Sequence, residues 1–500
     1  MKRLLIPLAA AGLSAATLAL PASAEPHWVT DPLAPKPADA YSTATFWLDA
    51  NGAALRKATQ YYWDFKNVPK LVGTSGKSPD DGKAGMTAPT GAVATATKVK
   101  NINLPKTIGK VFFIDRSGTY RWCSATSIQS RHRNLVATAG HCVYENGKDV
   151  FRKWVFIPGY YQGKAPWGVY AGAYAFTHYD LDTYDDYDGD YAFVAVHNGF
   201  ALSGTKQATK DEYDKWLGDK WAKDVEITQA EYAKCVDLHG GETADCWAKL
   251  VTTADIVGPN YIGGKKRAFK EVSKEEYDKA AAGNGNGAKE PDKTVVDQVT
   301  KSEYESYKGP GYRKLDQHGN YTITHYFLGY WVKESSKTLY YKTVFTLGLA
   351  KDLGRLGDVV GGQGMAWNQP MGQPMTVLGY PSAPHPDGDK PFSGLTPKVC
   401  IGKTGTKSWQ VNTFKVETHQ VLKCSMTPGA DGGPWLLKYD NNKRTGYVNG
   451  VTSMFHDQDG NDRIDYISTA YFDGEVADVY NKANYAETKS VIGPKGEVLQ

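Results

Sequence analysis

The 500-residue sequence predicts a mainly β protein, a barrel or sandwich interrupted by a mixed α/β insertion. Three observations carry that prediction. Short β-favouring runs broken by Gly, Asp and Asn fill about 106–198 and 351–482. The charged stretch between them repeats one helix-start signature. The chain also opens on an export signal and holds six cysteines, which suits a disulfide-stapled β protein.

Composition narrows the function classes. There are 58 Lys+Arg against 54 Asp+Glu, a net charge of +4. That near-balance excludes a strongly basic nucleic-acid binder and an acidic disordered tail. With 41% hydrophobic and 12% aromatic residues, the chain can bury a large core. The 32 tyrosines pack their rings while keeping a wet hydroxyl, as in secreted β-rich proteins and binding surfaces.

Residues 1–24 read as a signal peptide. A basic start, an apolar stretch and Ala22-Ser23-Ala24 before Glu25 give the export and cleavage pattern. No later stretch is apolar enough to span a bilayer, so the expected product is secreted and extracellular. Residues 25–105 read as a pro-region or N-terminal extension with a linker, including a short helix near Ala53 to Trp63. The first β region is 106–198. It opens with Val111-Phe112-Phe113-Ile114 and closes with Tyr191-Ala192-Phe193-Val194.

The inserted segment is 199–350. In it a hydroxyl residue is followed three positions later by Glu and then Tyr: Thr209/Glu212/Tyr213, Thr228/Glu231/Tyr232, Ser273/Glu276/Tyr277 and Thr300/Glu303/Tyr304. Each is a capping box and predicts a short helix. Their irregular spacing argues against a strict solenoid. The second β region is 351–482, and 483–500 reads as a loose tail.

Spacing suggests the disulfides Cys123–Cys142, Cys235–Cys246 and Cys400–Cys424. Six cysteines allow about fifteen pairings. No CxxC or HxxxH spacing appears, so neither a metal nor a cofactor is expected. Asp457-Gln458-Asp459-Gly460-Asn461-Asp462 is rich in oxygens but lacks a full calcium-loop pattern, and reads as a solvated acidic turn.

Three segments carry chemistry. Thr138-Ala139-Gly140-His141-Cys142 follows a strand, and its small residues let the backbone turn and present one imidazole. Asp190-Tyr191-Ala192-Phe193-Val194 puts a carboxylate at the start of a buried strand. Gly429-Ala430-Asp431-Gly432-Gly433-Pro434 is a turn whose amides can face an anion.

Together these segments resemble the chymotrypsin-like serine peptidase family, in its secreted bacterial branch. Gly379-Tyr380-Pro381 and Gly450-Val451-Thr452-Ser453 resemble the segments flanking that family's substrate cleft. The resemblance implies two six-stranded antiparallel β-barrels with the cleft between them, and a polypeptide substrate or peptide ligand. It implies His141 as general base, Asp190 as its orienting carboxylate, and the amides of Gly429 and Asp431 as the oxyanion hole. Thr427 and Ser453 would lie near the primary specificity pocket.

One departure is decisive. The family has Ser where this chain has Asp431, and a carboxylate brings no hydroxyl proton for His141 to remove. It could pair with protonated His141 or turn into the amide nest. Ala430 also replaces the acid that pairs with a freed N-terminus in many animal members. Ser425 is too far upstream to substitute by position. The expectation is a peptidase homologue that has lost most or all hydrolysis and keeps a peptide-binding cleft. The alternatives are an active endopeptidase in which Asp431 is a sequence change, and an envelope-associated protein acting through the insertion.

Overall fold

The computed structural model describes residues 27–61, 69–74, 81–91, 104–145, 149–239 and 245–500. The expected signal peptide and part of the expected linker lie outside them. The chain divides into two compact units. One takes in the chain up to 206, with 214–220 and 347–500; the other is 207–213 with 221–346. Among the described residues no helix is long and apolar enough to cross a membrane.

The larger unit is mainly β. Ile108–Ile114 pairs with Tyr120–Ile128, which pairs with Leu135–Thr138 and so on through Ala192–Val196, Tyr170–His178 and Arg152–Pro158. Arg152–Pro158 pairs back to Ile108–Ile114, closing a six-stranded antiparallel barrel. Strand alternation sends successive side chains to two cores. Val111, Phe113, Ala192 and Val194 enter one cluster, while Phe112, Phe193 and Ala195 enter the other. That double burial explains why these strands read as continuous apolar runs.

The second half does not close as one sheet. Pro374–Gly379, Pro434–Asp440 and Thr445–Val451 sit in a six-stranded sheet, and Val416–Lys423 with Tyr466–Thr469 in a five-stranded one, giving a half-barrel. Trp435, Phe455 and Ile467 fill the core between them.

The N-terminal segment is more integrated than an extension would be. Trp28–Pro32 adds a strand beside Tyr170–His178. The helix begins at Pro37 rather than near Ala53 and runs to Lys57. It buries Trp47 against Phe112, with Trp47 Nε1 donating to Lys153 O at 2.6 Å. Gly85–Thr87 and Val72–Gly73 each join one sheet of the half-barrel. The C-terminus also differs from the loose tail expected. Val491, Ile492 and Val498 are buried, and Asn134 Nδ2 donates to Ala486 O and Thr488 Oγ1.

In the smaller unit all four capping boxes form, with helices Lys210–Lys215, Gln229–His239, Lys274–Lys279 and Lys301–Ser306 following them. The tyrosine of each repeat packs on an aromatic of the long strand Tyr321–Gly354. The pairs are Tyr213 on Phe345, Tyr232 on Tyr340, Tyr277 on Tyr326 and Tyr304 on Tyr321. The repeat therefore specifies a helix start and its docking ring together.

The three disulfides pair as the spacing suggests. Cys123–Cys142 spans 19 residues and staples the turn that carries His141. Replacing both cysteines by Ser should lower the unfolding free energy by about 3 kcal/mol, read as a lower urea midpoint.

Candidate active site

Leu135–Thr138 delivers the chain into a single 3-10 turn, Gly140–Cys142, and His141 is buried at its centre. Position 140 must be small. A Cβ there would lie 2.0 Å from Leu181 Cδ2 and 3.2 Å from Asp190 Oδ1. Asp190 ends the 3-10 turn Tyr187–Gly189, just before Ala192–Val196. Its Oδ1 accepts the His141 backbone N–H at 2.9 Å, and its Oδ2 lies 2.8 Å from His141 Nδ1.

Asp431 faces the other side of the imidazole, with Oδ1 3.4 Å from His141 Nε2. Its Oδ2 accepts the Gly429 N–H at 2.6 Å, and the carboxylate draws on the Asp431 N–H as well. The side chain therefore fills the amide nest from within. The turn that allows this is held by close contacts. Gly429 has φ +102° and lies against the Trp122 ring. Gly432 has φ +76°, and a Cβ there would fall 2.1 Å from Thr138 Oγ1 and 2.3 Å from Ser124 O.

Burial works against a charged imidazole, but the Asp190 carboxylate outweighs it. With a further contribution from Asp431, the His141 pKa is pushed up to about 10. Burial also works against the Asp190 carboxylate, yet its contacts with His141 and Ser453 hold its pKa below the usual range. Burial lifts that of Asp431. Flanked by Asp190 and Asp431, His141 thus favours its protonated form.

Two further expected positions have defined surroundings. The Ser453 hydroxyl donates to Asp190 Oδ2 at 2.5 Å, where a short polar side chain can complete the carboxylate's shell. Thr427 is buried, its carbonyl accepts the Ala430 N–H, and its Oγ1 has no hydrogen-bond partner among the described residues. Ser425 is exposed, and Ala430 is fully buried against Gly379. In the acidic turn, Asp457 accepts the amides of Gly460 and Asp462.

Sequence reasoning missed two features. Ser124 accepts the Tyr380 N–H at 2.8 Å and donates to Gly429 O at 2.7 Å, while its own N–H donates to Asp431 O. Only its position next to Cys123 could have marked it. The rings of Tyr61 and Tyr187 each lie 6.2 Å from the His141 ring. Tyr61 comes from the N-terminal segment, whose Thr59–Gln60 runs parallel to Arg121–Trp122. Further on, Pro69 O lies 2.8 Å from His456 Nδ1.

No family model and no curated protein matches the chain. Among solved structures it is similar to protease Anisep from Arthrobacter nicotinovorans, at 17% identity and TM-score 0.41, over 77% of this chain and 98% of that one. A thermostable serine protease, AL20, from an extremophilic microorganism is similar at 18% identity and TM-score 0.40, over 76% and 98%. A Glu endopeptidase in complex with MPD is similar at 12% identity and TM-score 0.35, over 78% and 96%.

Two outcomes follow from the geometry. Because the folded pKa of His141 lies above its ordinary value, its stabilising contribution is complete below about pH 6.5 and is lost as pH rises through about 10. The melting temperature should fall across that window. In Asp431→Asn, which removes one carboxylate, the His141 imidazole should titrate at lower pH by NMR. Separately, Gly432→Ala should cost roughly 3 kcal/mol from positive φ and overpacking, measured by chemical denaturation.

Proposed function

We propose that the chain is a secreted homologue of the chymotrypsin-like serine endopeptidases whose hydrolysis is arrested at position 431, with a polypeptide as its ligand. One observation carries the reading: the Asp431 carboxylate lies on the Gly429 amide and against His141 at once. In a working site a hydroxyl at 431 gives its proton to the imidazole, and the two amides receive the oxyanion. Here there is no such hydroxyl, two flanking carboxyl groups favour the protonated imidazole, and the Gly429 amide holds the chain's own carboxylate. Loss of a triad nucleophile typically removes about a millionfold of rate. The export signature and three disulfides support an extracellular setting.

The test compares three full-length proteins with a fluorogenic peptide and a fluorophosphonate probe. The unaltered chain should stay near background, Asp431→Ser should gain probe labelling and cleavage, and Asp431→Asn should remain silent. Strong, probe-sensitive cleavage by the unaltered chain would overturn the reading. A silent but folded Asp431→Ser variant would show that position 431 is not what arrests the site.

A further inference from the structure

A cavity of about 230 Å³ lies beside Ile108–Ile114, away from the residues that contact His141. Ile108, Tyr160, Tyr161, Trp167, Tyr380 and Pro397 make most of its wall apolar. Its charged groups are Lys106 and Lys164, and among the described residues no Asp or Glu lines it. Lys106 Nζ sits 4.0 Å from the centre of the Trp167 ring, over its face. Burial and the nearby positive charge of Arg444 hold the Lys106 pKa below its ordinary value. An anion placed there would relieve both effects.

A third amine stands behind this wall. Lys110 is two residues along from Ile108, so it projects from the same face of the strand. It is only 2% exposed. Its Nζ lies 3.2 Å from the centre of the Trp122 ring, 4.5 Å from that of Tyr160 and 5.4 Å from that of Tyr380. Tyr160 and Tyr380 also line the cavity, and their order is fixed by a Tyr380 Oη bond to Tyr160 O at 2.8 Å. No carboxylate pairs with Lys110 among the described residues, and its charged form is opposed by burial alone. Burial favours the neutral amine at Lys110, so it serves as packing behind the wall rather than as a charge of the site.

Two lysines and, among the described residues, no carboxylate lining an apolar hollow make a site for negative charge attached to hydrocarbon. Volume sets the size. A hollow of about 230 Å³ suits a ligand on the order of one aromatic ring with a short chain. We infer that this cavity binds a small apolar carboxylate, its hydrocarbon against Trp167, Tyr160 and Tyr380 and its carboxylate toward Lys106 and Lys164. The same chemistry is offered by a free aryl-alkanoic acid and by the C-terminal aromatic residue of a peptide. The site does not depend on the protonation of His141.

Calorimetry on the full chain at low salt tests it, with 3-phenylpropionate, 3-phenylpropan-1-ol and 3-phenylpropylamine as probes. The acid should bind saturably, the alcohol about tenfold more weakly, and the amine not at all. Lys106→Met and Lys164→Met, at half-buried and exposed positions, should each weaken the acid by about threefold to tenfold while leaving the alcohol unchanged. Gly-Gly-Phe and its C-terminal amide then separate the sources. If the free peptide matches the acid and the amide fails, the ligand is a peptide end; if both peptides fail, it is a free acid. Equal binding of acid and alcohol would overturn the proposal. So would absence of saturable acid binding, or unchanged acid affinity in a folded Lys106→Met/Lys164→Met double variant.

Discussion

An imidazolium buried between two carboxylates is the interaction on which the rest of the larger unit depends. Taking such ions out of water costs several kcal/mol each, so donors around the oxygens offset part of that cost. Asp190 receives the His141 amide, the His141 ring and the Ser453 hydroxyl. Asp431 receives the Gly429 amide. His141 and Asp190 come from the closed barrel, while Ser453, Gly429 and Asp431 come from the half-barrel. The charge cluster therefore ties the two halves together. Removing His141 would leave two buried carboxylates facing one another, a far larger penalty than losing one contact, whereas neutralising Asp431 leaves the His141–Asp190 pair intact.

Backbone geometry makes that cluster possible. Ser124 sits where the halves meet: its N–H reaches Asp431 O, its hydroxyl reaches Gly429 O, and it accepts from Tyr380 N. The residue before it, Cys123, is bonded to Cys142, one residue past His141. One short stretch of strand thus fixes both the turn bearing the imidazole and the turn bearing the opposing carboxylate. Gly432 lets these turns close to a distance that no side chain could occupy.

What could be read from the sequence follows the range of each interaction. The capping boxes were legible because hydroxyl and Glu lie three residues apart and satisfy each other locally. The turns around His141 and Asp431 were legible because their small residues answer to steric demands within a few positions. The role of Ser453 was not, since its partner Asp190 is 263 residues away and nothing near Ser453 records it. The long strand Tyr321–Gly354 owes its continuity to the strands that pair along it, which no local pattern in the sequence records. The C-terminal residues read as loose because Gly, Pro and Lys interrupt them. Yet Val491, Ile492 and Val498 find their burial against distant parts of the chain. The helix Pro37–Lys57 carries too weak an apolar stripe to be placed by periodicity, and only its contact with the barrel defines it.

Asp431 shows how one set of dipoles can serve folding or chemistry but not both at once. Amides that converge on a point create a site for negative charge, whatever group supplies it. A substrate oxyanion would occupy that point only in passing, whereas a side chain carboxylate occupies it in the ground state. Asp190 is the larger cause of the raised proton affinity of His141, and the Asp431 carboxylate adds to it. Both effects lower the energy of the resting state. The arrangement is complementary to an ion pair that the folded chain already contains, and catalysis requires complementarity to charges that have yet to develop.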